Sequence, residues 1–274
     1  MKNKTLKLII VLAVAAAIVA GAAFFYQKGY RLSLISGVYK NGSVKIISSA
    51  DGVDVYVDGK KKVSAAAAGQ TLTIGGLKPG RHSVLAAKEG YWPWQKNLTV
   101  ESEATTEART LFVPTEPQGK ILFSPQDSSI GNTPEELAKR GKILKDILLS
   151  QNSLEKTKIG VSLFSDEARQ NLSAEWLGPE TPPYFICGDA GSCQKITPVF
   201  NSKFQIKTFD FYPGRNDVAI VAVEDGVYAL EIDGRGGRML QPIYKGNNPM
   251  ALAAGDEPLV YILDDNFLLE INLR

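Results

Sequence analysis

Apolar and polar positions alternate along much of this chain, and the alternation begins only after one uninterrupted apolar run. Leu8 to Phe25 contains no charged residue. At about 1.5 Å of rise per residue this run reaches roughly 27 Å as a helix, close to the ~30 Å hydrocarbon core of a bilayer. Lys2, Lys4 and Lys7 precede it, and Tyr26 and Tyr30 stand where interfacial aromatics belong. The pattern predicts a transmembrane helix over 8–26, a cytoplasmic tail over 1–7 and a linker over 27–42. Two readings of the run compete. One is an uncleaved signal anchor. The other is a signal peptide removed at Ala20-Gly21-Ala22. The greasy Phe24-Phe25-Tyr26 that would then begin the mature chain favours the anchor. Lys28 and Arg31 follow the run, so the positive-inside asymmetry is small, and a short tail inside with the bulk of the chain outside is the simplest topology.

Period two, the mark of a half-buried strand, takes over after position 42. Val53, Val55 and Val57 alternate with Asp54, Tyr56 and Asp58, and the run stops at Asp58-Gly59, a pair suited to the positive φ of a tight hairpin turn. Lys60, Lys61 and Lys62 read as a wet turn. Leu72 and Ile74 alternate with Thr71 and Thr73; Gly75-Gly76 and Pro79-Gly80 punctuate. Strand-like residues resume at His82–Ala87, then at Leu98 and Val100, then at Leu111–Val113 before Pro114. About six short strands at this spacing predict a small antiparallel β-sandwich over 43–114.

The same stretch resembles a PEGA domain. Ala50-Asp51-Gly52-Val53 stands at the tetrapeptide that names the family and keeps only its Gly. Val55-Tyr56-Val57-Asp58-Gly59 matches the strand and turn after it. Leu77-Lys78-Pro79-Gly80 and Lys88-Glu89-Gly90-Tyr91 match the later L-x-P-G and G-Y parts. The usual Gly-x-Thr-Pro after the turn is replaced by Val63-Ser64 and alanines. The resemblance implies a surface or envelope β-sandwich without catalysis, and names no ligand.

Residues 115–119 are a linker in composition, and Lys120–Ser124 has strand character. Thr133 offers an N-cap, Pro134 fits the first helical position, and Glu135 and Glu136 suit the positive end of a helix. A helix is predicted near 134–150, with Leu137, Leu144, Ile147 and Leu148 on its buried face. Its lysines also allow a membrane-surface helix, but packing on a β domain is the simpler reading. Beyond Asn201 the strands are clear: Ile206–Tyr212, the continuous apolar Val218–Val223, Val227–Ile232 and Met239–Tyr244, then Pro258–Leu263 and Phe267–Leu273. Four strands in about 40 residues is the period of a propeller blade. Phe209–Pro213 with Val227–Gly234 is similar to repeats of bacterial β-propellers. Residues 120–274 give barely four blade-lengths, one helix included, so an incomplete, propeller-like meander is expected. Its open strand edges would be covered by a homo-oligomer or by docking against the first module. The predicted fold class is thus mainly β: a transmembrane helix, a PEGA-like sandwich, and a β-meander with one inserted helix.

Charge changes this picture little. The 274 residues carry 31 Lys and Arg against 29 Asp and Glu, a net +2, too balanced for nucleic acid as main partner. Cys187 and Cys193 are the only cysteines; in an exported chain they read as one loop-closing disulfide, with free thiols or a metal site as the alternatives. His82, the single histidine, lies in an alternating strand and reads as structural rather than catalytic. No P-loop, G-x-G-x-x-G or H-E-x-x-H occurs. Asp264 with Asp265, or Asp51, Asp54 and Asp58, have the chemistry of a calcium site, although Asp264-Asp265-Asn266 is more simply a turn. The best interaction feature is Tyr91-Trp92-Pro93-Trp94. Exposed, these aromatics stack on sugars or anchor a partner; buried, they are core or the contact between two β modules.

The expectation is a single-pass cell-membrane protein, mostly extracytoplasmic, without catalysis, cofactor or metal. Its work is binding or scaffolding an envelope polysaccharide, S-layer or surface protein. A hydrolase with a site in the C-terminal loops and a structural subunit of an envelope assembly are the alternatives.

Overall fold

The computed structural model describes residues 2–33, 37–126, 133–188 and 193–274. Helix α1 (Lys2–Gln27) includes Ile10–Gln27, long and apolar enough to cross a membrane, with none of that stretch buried against the rest of the protein. Gly29, at φ +86°, turns the chain out of the helix. Within the segment 27–42, expected as a linker, β1 (Tyr30–Ser33) and β2 (Gly37–Lys40) pair antiparallel, with Leu32 opposite Val38. Strands of four residues are too short for an alternation to register in sequence.

Seven strands then make two sheets: β3 (Gly42–Ile47), β4 (Val53–Val57), β5 (Lys60–Ala66), β6 (Thr71–Leu77), β7 (Gly80–Ala87), β8 (Trp94–Val100) and β9 (Thr105–Arg109). One sheet runs β6-β3-β9 and the other β5-β4-β7-β8. Val44, Ile46, Val55, Val84 and Leu98 are fully buried in the core. Asp58 and Gly59 both take positive φ, 52° and 74°, in the turn between β4 and β5. Three details differ from the expectation. The sheets are not wholly antiparallel, because β3 and β9 pair in parallel. Lys60–Lys62 opens strand β5 rather than forming a turn; an edge strand with one wet side tolerates lysines. Leu111–Val113 is buried but is no strand: Trp92 N–H donates to the Val113 carbonyl and Val113 N–H donates to the Gln241 side chain.

After a short linker come β10 (Gly119–Phe123), helix α2 (Pro134–Asn152) and eleven strands: β11 (Glu155–Lys158), β12 (Val161–Ser165), β13 (Asn171–Trp176), β14 (Ile196–Asn201), β15 (Thr208–Phe211), β16 (Val218–Val223), β17 (Gly226–Glu231), β18 (Leu240–Lys245), β19 (Met250–Ala253), β20 (Leu259–Asp264) and β21 (Phe267–Asn272). They form three antiparallel four-stranded sheets, β11-β12-β13-β14, β15-β16-β17-β18 and β19-β20-β21-β10. The first strand of the region thus pairs with the last. The resemblance to propeller repeats reaches this four-strand grouping and no further.

The middle sheet is buried on both faces, which explains the unbroken apolar run of β16. Val218, Ile220 and Ala222 belong to the core shared with the third sheet, whereas Ala219, Val221 and Val223 belong to the core shared with the first. The outer face of the third sheet is covered by α2, through Ile143 and Ile147 against Leu268 and Leu252. Thr133 and Glu136 cap the start of α2 reciprocally. The expected buried face was partly misplaced. Leu144 and Ile147 pack inward, but Leu137 and Leu148 are exposed, and Ile143 and Ser150 complete the stripe with Ile147 at i, i+4, i+7 spacing.

Candidate binding cleft at the module junction

Strand β8 decides how the two β regions meet. Trp94, Lys96, Leu98 and Val100 all point inward, and Lys96 is as buried as its apolar neighbours, at 1 % exposure. A buried ammonium must be paired and hydrogen-bonded to be tolerated. Its partners come from the other module: Glu231 Oε2 at 2.9 Å, the Asp233 carbonyl at 2.8 Å and Asp233 Oδ2 at 3.5 Å. The second oxygen of Glu231 accepts from Trp94 Nε1 at 2.6 Å. Burial pushes the Glu231 carboxyl up, against the pull of Lys96 and Trp94. Arg235 grips Asp233 from the other side and also donates to the Glu107 carbonyl of β9.

Beside this network Asn97 N–H donates to the Gly236 carbonyl at 3.0 Å. Gly236 takes φ +66°, and a Cβ there would lie 2.5 Å from the Asn97 carbonyl oxygen. Gly236→Ala is therefore expected to cost about 2 kcal/mol or more through backbone strain and displacement of this contact. A chemical denaturation series on the full chain checks this, and an unchanged midpoint would refute it.

Two further contacts complete the junction. Gln241 Nε2 donates to the Leu111 carbonyl at 3.1 Å while its oxygen accepts from Val113. Arg215 makes a bidentate pair with Asp217, at 2.8 and 2.6 Å, and donates to the Thr110 carbonyl at 2.7 Å. Burial works against the Asp217 carboxylate, but the charge and hydrogen bonds of Arg215 outweigh it and hold the group below the usual carboxylate range. Of these junction residues only Trp94 stood out in the sequence, and the buried reading, as core and as contact between the two β modules, is the one that holds for it. The available signal was parity: Lys96 and Glu231 occupy inward positions of strands that are otherwise apolar there.

Next to the junction lies a cleft of about 430 Å³. Tyr91, Phe112 and Tyr212 form aromatic walls, and Lys88, Arg109 and Arg274 supply charge. Tyr91 and Phe112 meet edge to face at 6.3 Å, and Lys88 Nζ sits 4.2 Å from the Tyr91 ring centre. Burial pushes the Tyr212 hydroxyl up to about 12. Arg109 is half-buried. Its Nε is closed off without a partner, and Nη1 lies 3.9 Å from Asp217. Burial and the adjacent Arg215 both disfavour its charge, with Asp217 opposing them. Asp51 is the one side-chain carboxylate among the described lining residues, and it accepts from Ala68 N–H at 2.7 Å.

The residues singled out in the sequence fall apart spatially. Trp94 is wholly buried, Trp92 is 38 % exposed and Tyr91 is half-buried, so the three do not form one exposed aromatic patch. Of them only Tyr91 lines the cleft. Cys187 and Cys193 are joined as a disulfide, which borders a separate depression with Thr99 and Arg235. Four of the candidate calcium carboxylates have another partner: Asp51 accepts from Ala68 N–H, Asp54 pairs with Lys61 at 2.7 Å, Asp58 with His82 at 2.7 Å, and Asp264 accepts from Tyr244 Oη at 2.8 Å. Among the described residues no group of three His, Cys, Asp or Glu side chains is placed to hold a metal. His82 also contacts the Lys78 carbonyl, at 2.6 Å, and so braces the turn between β6 and β7.

No curated protein matches this chain. A crystal structure of a protein of unknown function from Bacteroides fragilis NCTC 9343 aligns with 84 % of this chain and 94 % of its own, at 11 % identity and a TM-score of 0.21. That likeness is too slight to carry anything over. The sandwich is another matter: residues 41–116 match the PEGA domain, so the module that contributes Lys96, Arg109 and Tyr91 to the junction and its cleft is a PEGA domain.

Proposed function

We propose that this protein is a membrane-anchored, extracytoplasmic binding protein. On this reading it works without catalysis and engages an envelope polysaccharide or surface protein. The observation that carries the proposal is the cleft beside Arg109, whose walls come from both β modules. A polar network of full-time partners at the junction keeps such walls at a fixed separation, and a preorganised cleft binds at lower entropic cost. Its volume lies in the usual range for ligand sites, about 300–1,000 Å³. The apolar helix α1, the PEGA domain and the joined cysteines all suit a chain held at the outer side of a membrane.

The test uses the full chain in its own membrane. Protease added to intact cells is expected to degrade the β modules, and the detergent-solubilised protein is expected to sediment with isolated envelope polymer. Protection of the modules in intact cells, or no sedimentation above a denatured control, overturns the reading. Self-association through the sheet edges belongs to the same proposal, and the mass of the solubilised particle measures it.

A further inference from the structure

The cleft holds more positive charge than the fold itself uses. Of Lys88, Arg109 and Arg215, only Arg215 is matched among the described residues by a carboxylate in direct hydrogen bonds, that of Asp217. Arg109 lies in a region short of counter-charge. Among the described residues its nearest carboxylate oxygen is Asp217 Oδ1, 3.9 Å away and longer than a hydrogen bond, and Arg215 repels it. A half-buried guanidinium without a bidentate partner is costly to hold in place. Its planar fork of donors is matched to one chemistry, the paired oxygens of a carboxylate or phosphate. Lys88 adds charge at the same opening, and the one side-chain carboxylate among the described lining residues, Asp51, is already held by a backbone N–H.

The other walls limit what carries the anion. Tyr91 and Phe112 present an edge-to-face pair, and Leu111 and Pro213 extend the apolar surface. Aromatic edges beside cations suit a compact, ring-shaped, hydroxylated ligand with one charged group, and the volume accommodates one or two sugar rings. We propose that the cleft binds an acidic sugar residue bearing a carboxylate or phosphate, with Arg109 as the anion contact, Lys88 as a supporting charge and Tyr91 with Phe112 as the wall against the ring. This proposal rests on the reading of the protein as an envelope-binding one and names the ligand chemistry of the same site. The residue has two sources, a unit of an acidic polymer or a free sugar acid or sugar phosphate.

The test is calorimetric titration of the full-length protein in lipid nanodiscs with trigalacturonic acid, galacturonic acid, glucose 6-phosphate and neutral maltotriose. At least one acidic probe is expected to bind tenfold or more tightly than maltotriose, with affinity falling as salt rises. Tighter binding of the trimer than of either monomer points to a polymer unit; equal or tighter monomer binding points to the free sugar. Arg109→Gln is expected to weaken the best acidic probe tenfold or more. Because Arg109 is half-buried, Lys88→Gln serves as the second variant, with an expected loss of several-fold at unchanged melting temperature. Equal affinity for acidic and neutral probes, no binding of any acidic probe by folded protein, or no loss in Lys88→Gln overturns the proposal. If the wild type and Arg109→Gln sediment equally with envelope polymer, the envelope reading stands and the acidic-sugar site falls. If acidic probes bind but the wild type does not sediment with envelope polymer, the converse holds.

Discussion

Lys96→Met is expected to lower the melting temperature of the β modules by about 10 °C. The variant removes the ammonium from a site closed to bulk solvent, since Lys96 is 1 % exposed and its partner Glu231 3 %. Removing one member of a buried pair leaves the other uncompensated, at a cost of about 3–5 kcal/mol. For a domain of this size each kcal/mol moves the midpoint by roughly 2–4 °C. The control is the double variant Lys96→Met, Glu231→Gln. It removes both charges and keeps a side chain able to accept from Trp94, so it is expected to regain much of the loss. Differential scanning calorimetry of the full chain in detergent measures both. A single variant that melts with the wild type would show that the two modules are not joined through this pair, and the fixed geometry of the cleft would lose its basis.

Trp94→Ala is expected to cost about 3–5 kcal/mol, as for other fully buried large side chains. Trp92→Ala is expected to stay within about 1 kcal/mol of the wild type, as for partly exposed positions without a special role. Trp94 has no exposed surface and its indole N–H supplies one of the hydrogen bonds to Glu231, at 2.6 Å. Its loss creates a cavity and strips a buried carboxylate of a donor in the same step. Since Trp94 and Lys96 share Glu231, the two variants are expected to be non-additive, and a double-mutant cycle reads the coupling directly. Equal effects of the two tryptophan substitutions would contradict the placement of this segment.

The two tryptophans also show where sequence reading reached its limit. The strand ending at Val57 and the Asp58-Gly59 turn were legible because period two and turn chemistry are local. So was Val218–Val223, whose length and apolarity predict burial on both faces. Strands β5 and β9 were not legible. β5 is an edge strand of lysines and alanines, and β9 is polar and pairs in parallel with a distant segment. Leu111–Val113 looked like a strand because its residues are apolar, but a neighbouring module rather than a sheet buries them. Of the candidate residues, the cysteine pair and Tyr91 kept a place at a depression or cleft, whereas Arg109, the centre of the binding proposal, carried no local signal at all.

By itself the order of residues determined an apolar helix at the start, a PEGA domain after it and a β-rich remainder with one capped helix, because each depends on interactions a few residues apart. Only the tertiary structure decided that Lys96 lies opposite Glu231, that Asn97 rests on Gly236, and that Arg109 faces a cleft with little counter-charge. Those partners stand more than a hundred residues apart, and their meeting is set by how whole sheets pack, which no local period encodes.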